Sequence, residues 1–223
     1  MLNKFLVIVT ISLILNISEV SSSEDIPILV IAPSKKPQSI STVGTSVVVL
    51  DEKFLQNTNE YFLGDVLASN TTSANFFQNG GHGSTSAIQL RGLPKRYSTV
   101  YIDGIKMSDP SSVSGDYDFN HILTSQISRV EILKGNQSSV YGSGAIGGTI
   151  NITTKKGLPG KQSGVMFNTG SHKTNNYSLS YSGADETQNY YIGFERFQTE
   201  GMSAMTHNDE KDGYKNNSMT ANY

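Results

Sequence analysis

Residues 140–152 read VYGSGAIGGTINI, and two incompatible folds compete for them. Gly142, Gly144 and Gly147 spell G-x-G-x-x-G, the spacing of a dinucleotide-binding turn. Such a turn needs a strand before the glycines and a helix after them, because the helix N-terminus holds the pyrophosphate. Here the glycines lead into TINITT (149–154), which alternates and is β-branched, a pattern hostile to helix. The stretch therefore predicts a bend between two strands, with glycine supplying close backbone approach or positive φ, and no phosphate site.

Working outward toward the N-terminus, RVEIL (129–133) alternates as a strand, and 119–127 has room for a short helix. TVYIDGIKM (99–107) carries Asp103 and Gly104 between β-formers, a hairpin signal. A short strand is expected at 88–91 and a buried one at 46–50, SVVVL. Asn57 with Glu60 resembles a helix cap and its reciprocal partner. Tyr61, Leu63, Val66 and Leu67 then mark an amphipathic helix of roughly ten residues ending near Ser69. Residues 75–86 and 109–118 read as long polar loops. The whole of 41–157 is expected to be one α+β unit.

Beyond Gly157 the pattern changes. Residues 164–169, 176–181 and 190–197 alternate apolar or aromatic with polar residues, and a fourth such run opens at Ser218. Antiparallel strands with one apolar face suit the wall of a transmembrane β-barrel. Four strands do not close a lipid-exposed barrel, since the smallest single-chain ones need about eight. Residues 158–223 are therefore expected to be the start of a barrel, in the N-terminal part of a larger protein or in a truncated gene product.

At the other end, Lys4, the apolar run 5–17 and Ser21 to Ser23 make residues 1–23 a cleaved secretory signal, with an uncleaved anchor as the alternative. Residues 24–40, EDIPILVIAPSKKPQSI, hold three prolines that favour an extended chain. That segment serves either as a strand added to a partner's sheet or as the first strand of the domain. A net charge of -2 without a Lys/Arg cluster argues against a nucleic-acid partner. Cysteine is absent, which excludes a disulfide framework and a thiol nucleophile and suits a Gram-negative envelope. His82, His121, His172 and His207 lack metal-ligand spacing, and no catalytic constellation is evident, so an enzyme is not expected.

QLRGLPKRYSTVYIDGIKM (89–107) followed by ISRVEILKGNQSSVYGSGAIGGTINITTKKG (127–157) resembles the plug domain of TonB-dependent outer-membrane receptors. The matching features are Arg91-Gly92, the Asp103-Gly104 hairpin, Val130-Glu131, Lys134-Gly135, Tyr141-Gly142 and the glycine-rich run 144–151. The resemblance implies an α+β plug domain followed by the first antiparallel strands of a transmembrane β-barrel, seated in outer-membrane lipid. It also implies active transport driven through the TonB protein. Ile28, Leu29, Val30, Ile31 and Ala32 resemble the TonB box, which favours the partner-strand reading of the extended segment.

Within the family, Gln78, Asn79, Gly80 and Gly81 in the first long loop, and Val113, Ser114 and Gly115 in the second, are most similar to cobalamin receptors. Siderophore and haem receptors share the scaffold. The resemblance makes these loops substrate-facing, with His82 a further candidate contact to a metal chelate. It places Arg91 and Arg129 opposite acidic groups of the barrel wall, while Lys134 stands where arginine is usual and lacks its bidentate fork. Cobalamin receptors carry acidic calcium ligands in the loop before the last strand seen here, so Glu210 and Asp212 are candidate calcium ligands; otherwise no cofactor is expected. A solvated turn is the plainer reading of that loop, because Lys211 intrudes. A soluble periplasmic binding module or a non-functional fragment are the rival functions, and the alternating strands after residue 164 favour the transporter.

Overall fold

The computed structural model describes residues 29–32, 34–113, 115–203, 205 and 210–223. The expected signal at 1–23, Ile28, Ser114 and His207 lie outside these described residues. The chain opens with a short antiparallel pair, β1 (Leu29–Val30) and β2 (Gln38–Ser39), and then β3 (Ser46–Leu50). Two helices follow, α1 (Glu52–Asn57) and α2 (Leu63–Asn70), and a hairpin of β4 (Ala74–Gln78) and β5 (Ser86–Leu90). Next come β6 (Ser98–Ile102), β7 (Ile105–Met107), β8 (Ile127–Lys134), the helical turn α3 (Ser138–Tyr141) and β9 (Gly148–Thr154). Four long strands finish the chain: β10 (Gly160–Gly170), β11 (Thr174–Ala184), β12 (Asn189–Thr199) and β13 (Tyr214–Asn222).

The α+β unit is built on a mixed sheet in the order β3-β8-β9-β6-β7, where β6 and β9 run parallel and the other neighbours antiparallel. Alternation gives the sheet two working faces. Val130, Ile132, Ile150 and Val100 point to a core completed by Leu63, Val66 and Leu67 of α2. Leu133 and Tyr101 point to the opposite face, where they meet Tyr141, Ala145 and Ala32. A glutamate, Glu131, is buried on that second face.

The Asp103-Gly104 hairpin forms as expected, with both residues at positive φ (48° and 82°), the geometry that matches the twist of paired strands. In the opening stretch, β9 follows the glycines, so a strand stands where a nucleotide site requires a helix. Gly148 has φ 152°, and a Cβ there would lie 2.3 Å from the Leu133 carbonyl oxygen, so close strand approach is what demands glycine. The bend is not a simple one, because α3 inserts a helical turn before it.

Two other readings are corrected. Asn57 ends α1, its side chain donating back to the Lys53 carbonyl at 2.7 Å, and the cap is Asp51, which accepts from Phe54 N at 2.8 Å. Helix α2 begins at Leu63, whose N–H is taken by the Ile122 carbonyl at 2.9 Å, so a tertiary contact replaces the expected cap. Residues 75–86 were expected to be loop throughout, yet their two ends form the β4–β5 hairpin and only 79–85 is its tip. Phe76 packs on the main core and pulls the segment into register opposite Ile88.

Strands β10 to β13 form a sheet in sequence order, each antiparallel to the next. The fourth begins at Tyr214 rather than Ser218. Alternate residues of β12 are buried (Tyr191, Glu195, Phe197) or exposed (Ile192, Phe194, Arg196). The buried set faces the α+β unit, while Val165, Leu179, Phe194 and Met219 form one outward apolar row across all four strands. This is the two-sided pattern expected of a barrel wall, lipid outside and contents inside.

Candidate functional site

The N-terminal segment is held by side chains of the second sheet face. Beyond β1, Ile31 N and Ala32 N both donate to the Glu131 carboxylate, to Oε2 at 3.0 and 2.7 Å. Arg129 Nε donates to Oε1 of the same group at 2.8 Å. The Tyr141 hydroxyl donates to the Ala32 carbonyl, and Asn151 Nδ2 donates to that hydroxyl at 3.3 Å. Burial pushes the Tyr141 hydroxyl above its ordinary value, which keeps it a donor. Lys35 Nζ lies 5.1 Å from the Tyr141 ring centroid, closing the clasp from outside.

Of the expected box residues, Val30 and Ala32 are buried, Ile31 is exposed, Leu29 pairs with Ser39, and Ile28 lies outside the described residues. A cavity of about 340 Å³ adjoins the clasp, lined by Ile31, Glu131, Tyr141, Asp103 and Lys156 among others. The arrangement is a docked segment with two β1 residues paired and the rest held by one glutamate and one tyrosine.

At the other end of the unit the two polar loops meet. Gln78 Nε2 and Ser84 Oγ donate to the Gly81 carbonyl at 2.8 and 2.9 Å, shaping the hairpin tip. Asn120 Nδ2 donates to the Ser84 carbonyl at 2.8 Å, and Asp118 accepts from Ser86 N at 3.3 Å, so the second loop holds the first. Asp116 is buried and ion-paired with Lys95. Gln78, Gly80, Gly81 and His82 line a cavity of about 430 Å³ with His172, Met202 and Asp212, which lie in the connections of the four-stranded sheet. Val113 and Gly115 do not line it; Val113 is exposed and Ser114 lies outside the described residues.

Residues 39–149 match the family model of the TonB-dependent receptor plug domain. That segment has the fold of a TonB-dependent receptor plug domain. The chain as a whole has the fold of such a plug running into the first strands of its barrel. Among solved structures, it is similar to the pyoverdine outer membrane receptor FpvA from Pseudomonas aeruginosa PAO1 bound to pyoverdine, at 19% identity and TM-score 0.67, covering 78% of this chain and 25% of that one. It is also similar to the ferric yersiniabactin uptake receptor FyuA from Yersinia pestis, at 20% identity and TM-score 0.58, covering 77% and 27%. The ferric enterobactin receptor PfeA from Pseudomonas aeruginosa aligns at 20% identity and TM-score 0.58, covering 78% and 30%. The chain thus spans about a quarter of the length of these receptors.

Among the described residues, Arg91 and Arg129 meet groups of the plug itself. The Arg129 pair with Glu131 is internal to the plug, and the Arg91 guanidinium rests over Gly135, also plug. Lys134 donates to the Thr72 carbonyl at 2.6 Å, again within the plug. What joins plug to wall is an aromatic cluster: Phe62 and His82 from the plug, Phe197 and Tyr214 from the wall. Phe62 stacks on His82 at 4.8 Å and meets Phe197 edge-on at 4.9 Å. His121 Nδ1 and the Tyr214 hydroxyl are 3.0 Å apart. The buried wall acid Glu195 accepts from Ser125 of the plug, and Asn222 Nδ2 donates to the Lys155 carbonyl at 2.7 Å. His82 therefore contributes to docking as well as lining the cavity. Its wall partners, Phe197 and Tyr214, lie more than a hundred residues away in sequence, which local patterns do not reveal.

Among the described residues, no group of three or more His, Cys, Asp or Glu side chains is placed to hold an ion. Glu210 and Asp212 are exposed, and Lys211 is bound to Glu200 at 2.6 Å. Lys173 reaches the other Glu200 oxygen at 2.5 Å, so one carboxylate ties the turn 171–173 to the loop 200–213. The Lys173 hydrogen bond, then that of Lys211, holds the Glu200 carboxyl at about 2, below the usual glutamate value. A depressed value means that the tie is intact above the ordinary glutamate pKa and is lost as pH falls from there through about 2. Pepsin digestion is expected to spare the loop 200–213 at pH 5 and to cut it readily at pH 2. A Glu200→Gln variant should be cut at similar rates at both, after correction for the enzyme's own pH profile; equal protection of wild type and variant at pH 5 would refute the tie.

Proposed function

We propose that this chain is the plug and opening wall of a TonB-dependent transporter that carries a metal chelate across the outer membrane. The observation that carries this reading is the arrangement of the plug. Its N-terminal segment is clasped at one end, and its first polar loop meets the wall in a cavity at the other. Ligand entering the loop cavity is read by the Gln78–His82 tip and the loop held by Asn120. Displacement of the plug loosens the clasp, and a strand of TonB then pairs with residues 28–32 and pulls. The energy comes from the partner, so the chain works by transport and not by catalysis.

Residues 1–23 act in this reading as a cleaved export signal, and the outward row of Val165, Leu179, Phe194 and Met219 faces outer-membrane lipid. Two ligand classes have support. The loop wording around Gln78 and Val113 favours cobalamin, while the receptors described above are named for ferric siderophores. Uptake of radiolabelled cobalamin and of ferric siderophores by intact cells separates them. One ligand should accumulate only when TonB is present and residues 28–32 are intact. Accumulation that persists without TonB would sink the proposal.

A further inference from the structure

We propose that Asn79 is a site of covalent self-modification, where the Gly80 nitrogen attacks the Asn79 side-chain amide and leaves an aspartyl or isoaspartyl link at the tip of the β4–β5 hairpin. Asn79-Gly80 is the only Asn-Gly pair in the sequence. Glycine matters because the residue after the asparagine carries no Cβ to hinder its nitrogen from reaching the Asn79 Cγ. The hairpin is fixed on either side of this pair. Below it, Asn79 N donates to the Thr85 carbonyl at 3.2 Å and closes the ladder. Beyond it, the tip gathers on the Gly81 carbonyl, which accepts from Gln78 Nε2 at 2.8 Å, Ser84 Oγ at 2.9 Å and Ser84 N at 3.2 Å. The 79–80 peptide link takes no part in these bonds. Both residues are exposed and neither stands at positive φ, so the pair is not locked in the corner of a tight two-residue turn.

Two other pairs with the same steric freedom are held. The Asp103 carboxylate, before Gly104, accepts from Thr154 N at 3.0 Å and Thr154 Oγ1 at 2.6 Å. Gly213 N, after Asp212, donates to the Lys211 carbonyl at 2.9 Å and so is engaged. At Asn79 the step needs only atoms of the tip and water. The Gly80 amide loses its proton and its nitrogen bonds to Asn79 Cγ; the Cγ–Nδ2 bond breaks, and Nδ2 leaves as ammonia with the proton that balances it. Water then opens the five-membered imide. Cleavage at Cγ gives the aspartyl link, and cleavage at the main-chain carbonyl gives the isoaspartyl link. Either product places a carboxylate beside Gly80, Gly81 and His82, which line the loop cavity. The isoaspartyl link also adds a carbon to the backbone, which puts Asn79 N out of register with the Thr85 carbonyl and loosens the tip.

The test holds the purified full-length protein at pH 6 and at pH 8 and weighs the proteolytic peptide that contains Asn79. Its mass should rise by the difference between a hydroxyl and an amino group, faster at pH 8, because the attacking atom is a deprotonated amide. The peptide should also accept a methyl group from an isoaspartyl methyltransferase. Gly80→Ala should convert roughly tenfold more slowly, since the added Cβ hinders the attack, and Asn79→Gln should not convert. A Cβ on Gly80 meets only Ser84, at 3.5 Å, so that variant keeps the tip, and its amide exchange over 79–85 should match fresh wild type. Aged wild type should exchange faster there than fresh wild type. No conversion of the folded protein, under conditions where a synthetic 75–86 peptide converts, overturns the proposal. Equal rates in Gly80→Ala and wild type overturn the attack by Gly80. Isoaspartyl formation at Asp103 or Asp212 as fast as at Asn79 overturns the selection by the fold, and unchanged exchange in the aged protein overturns the loosened tip. None of these readings involves transport, so they stand or fall apart from the proposed function.

Discussion

Replacing Glu131 by glutamine is expected to release the N-terminal segment and to tighten TonB binding to the ligand-free protein by roughly tenfold to a hundredfold. Glu131 accepts from Ile31 N, Ala32 N and Arg129 Nε, all donors. A glutamine amide keeps one acceptor oxygen but turns an NH₂ group toward the same donors. Hydrogen bonds to a charged group contribute about 1.5–3 kcal/mol each, and loss of even one changes the docked population by at least an order of magnitude. On the proposed function TonB must undock the segment before pairing with it, so a less populated clasp appears as higher affinity. Calorimetric titration of a periplasmic TonB domain into wild type and E131Q reads this directly. Because the Arg129 bond to Glu131 changes too, the plug's thermal midpoint is measured alongside. An unchanged affinity with an unchanged midpoint would remove Glu131 from the mechanism.

Phe197→Ala should uncouple plug from wall. Phe197 is 1% exposed and touches Phe62, Tyr61 and His82, so truncation leaves a cavity at the centre of the cluster. Loss of a buried phenylalanine costs about 3–5 kcal/mol, and here the loss falls on the contact between two units rather than within either. Amide exchange in residues 79–85 and 120–126 should accelerate strongly, with the β8 and β9 amides of the plug core unaffected. Phe167→Ala, on the outward face, is the matched control and should leave those loops protected. Equal exchange in both variants would mean that the hydrogen bonds of Glu195 and Asn222 hold the units together without the rings.

The two expected results concern residues that were unequally legible. Glu131 was read as part of the Val130-Glu131 strand, and alternation alone assigns it to the face opposite Val130 and Ile132. That it receives the amides of residues 31 and 32 depends on a contact between residues 99 and 100 positions apart. Helix α2 shows the same limit. Its apolar positions were evident, yet its start is set by the Ile122 carbonyl and not by a capping motif, because a distant acceptor satisfied the first free N–H. The β4–β5 hairpin was missed since its polar tip outweighed two short flanks, and only the packing of Phe76 on the core shows why they pair.

By itself the sequence determined the strand at 46–50, the Asp103-Gly104 turn, the replacement of helix by strand after Gly148, and the alternation of the four wall strands. Each of these is a matter of local sterics or of period along the chain, which neighbouring residues carry. Tertiary structure alone decided which cation meets which acid, that Arg129 shares Glu131 with the clasp, and that His82 packs against the wall. Those outcomes depend on which side chains from distant segments arrive at the same place, and the interactions are short-ranged. Pairing therefore follows the position that the sheet and wall impose, which a linear pattern does not contain.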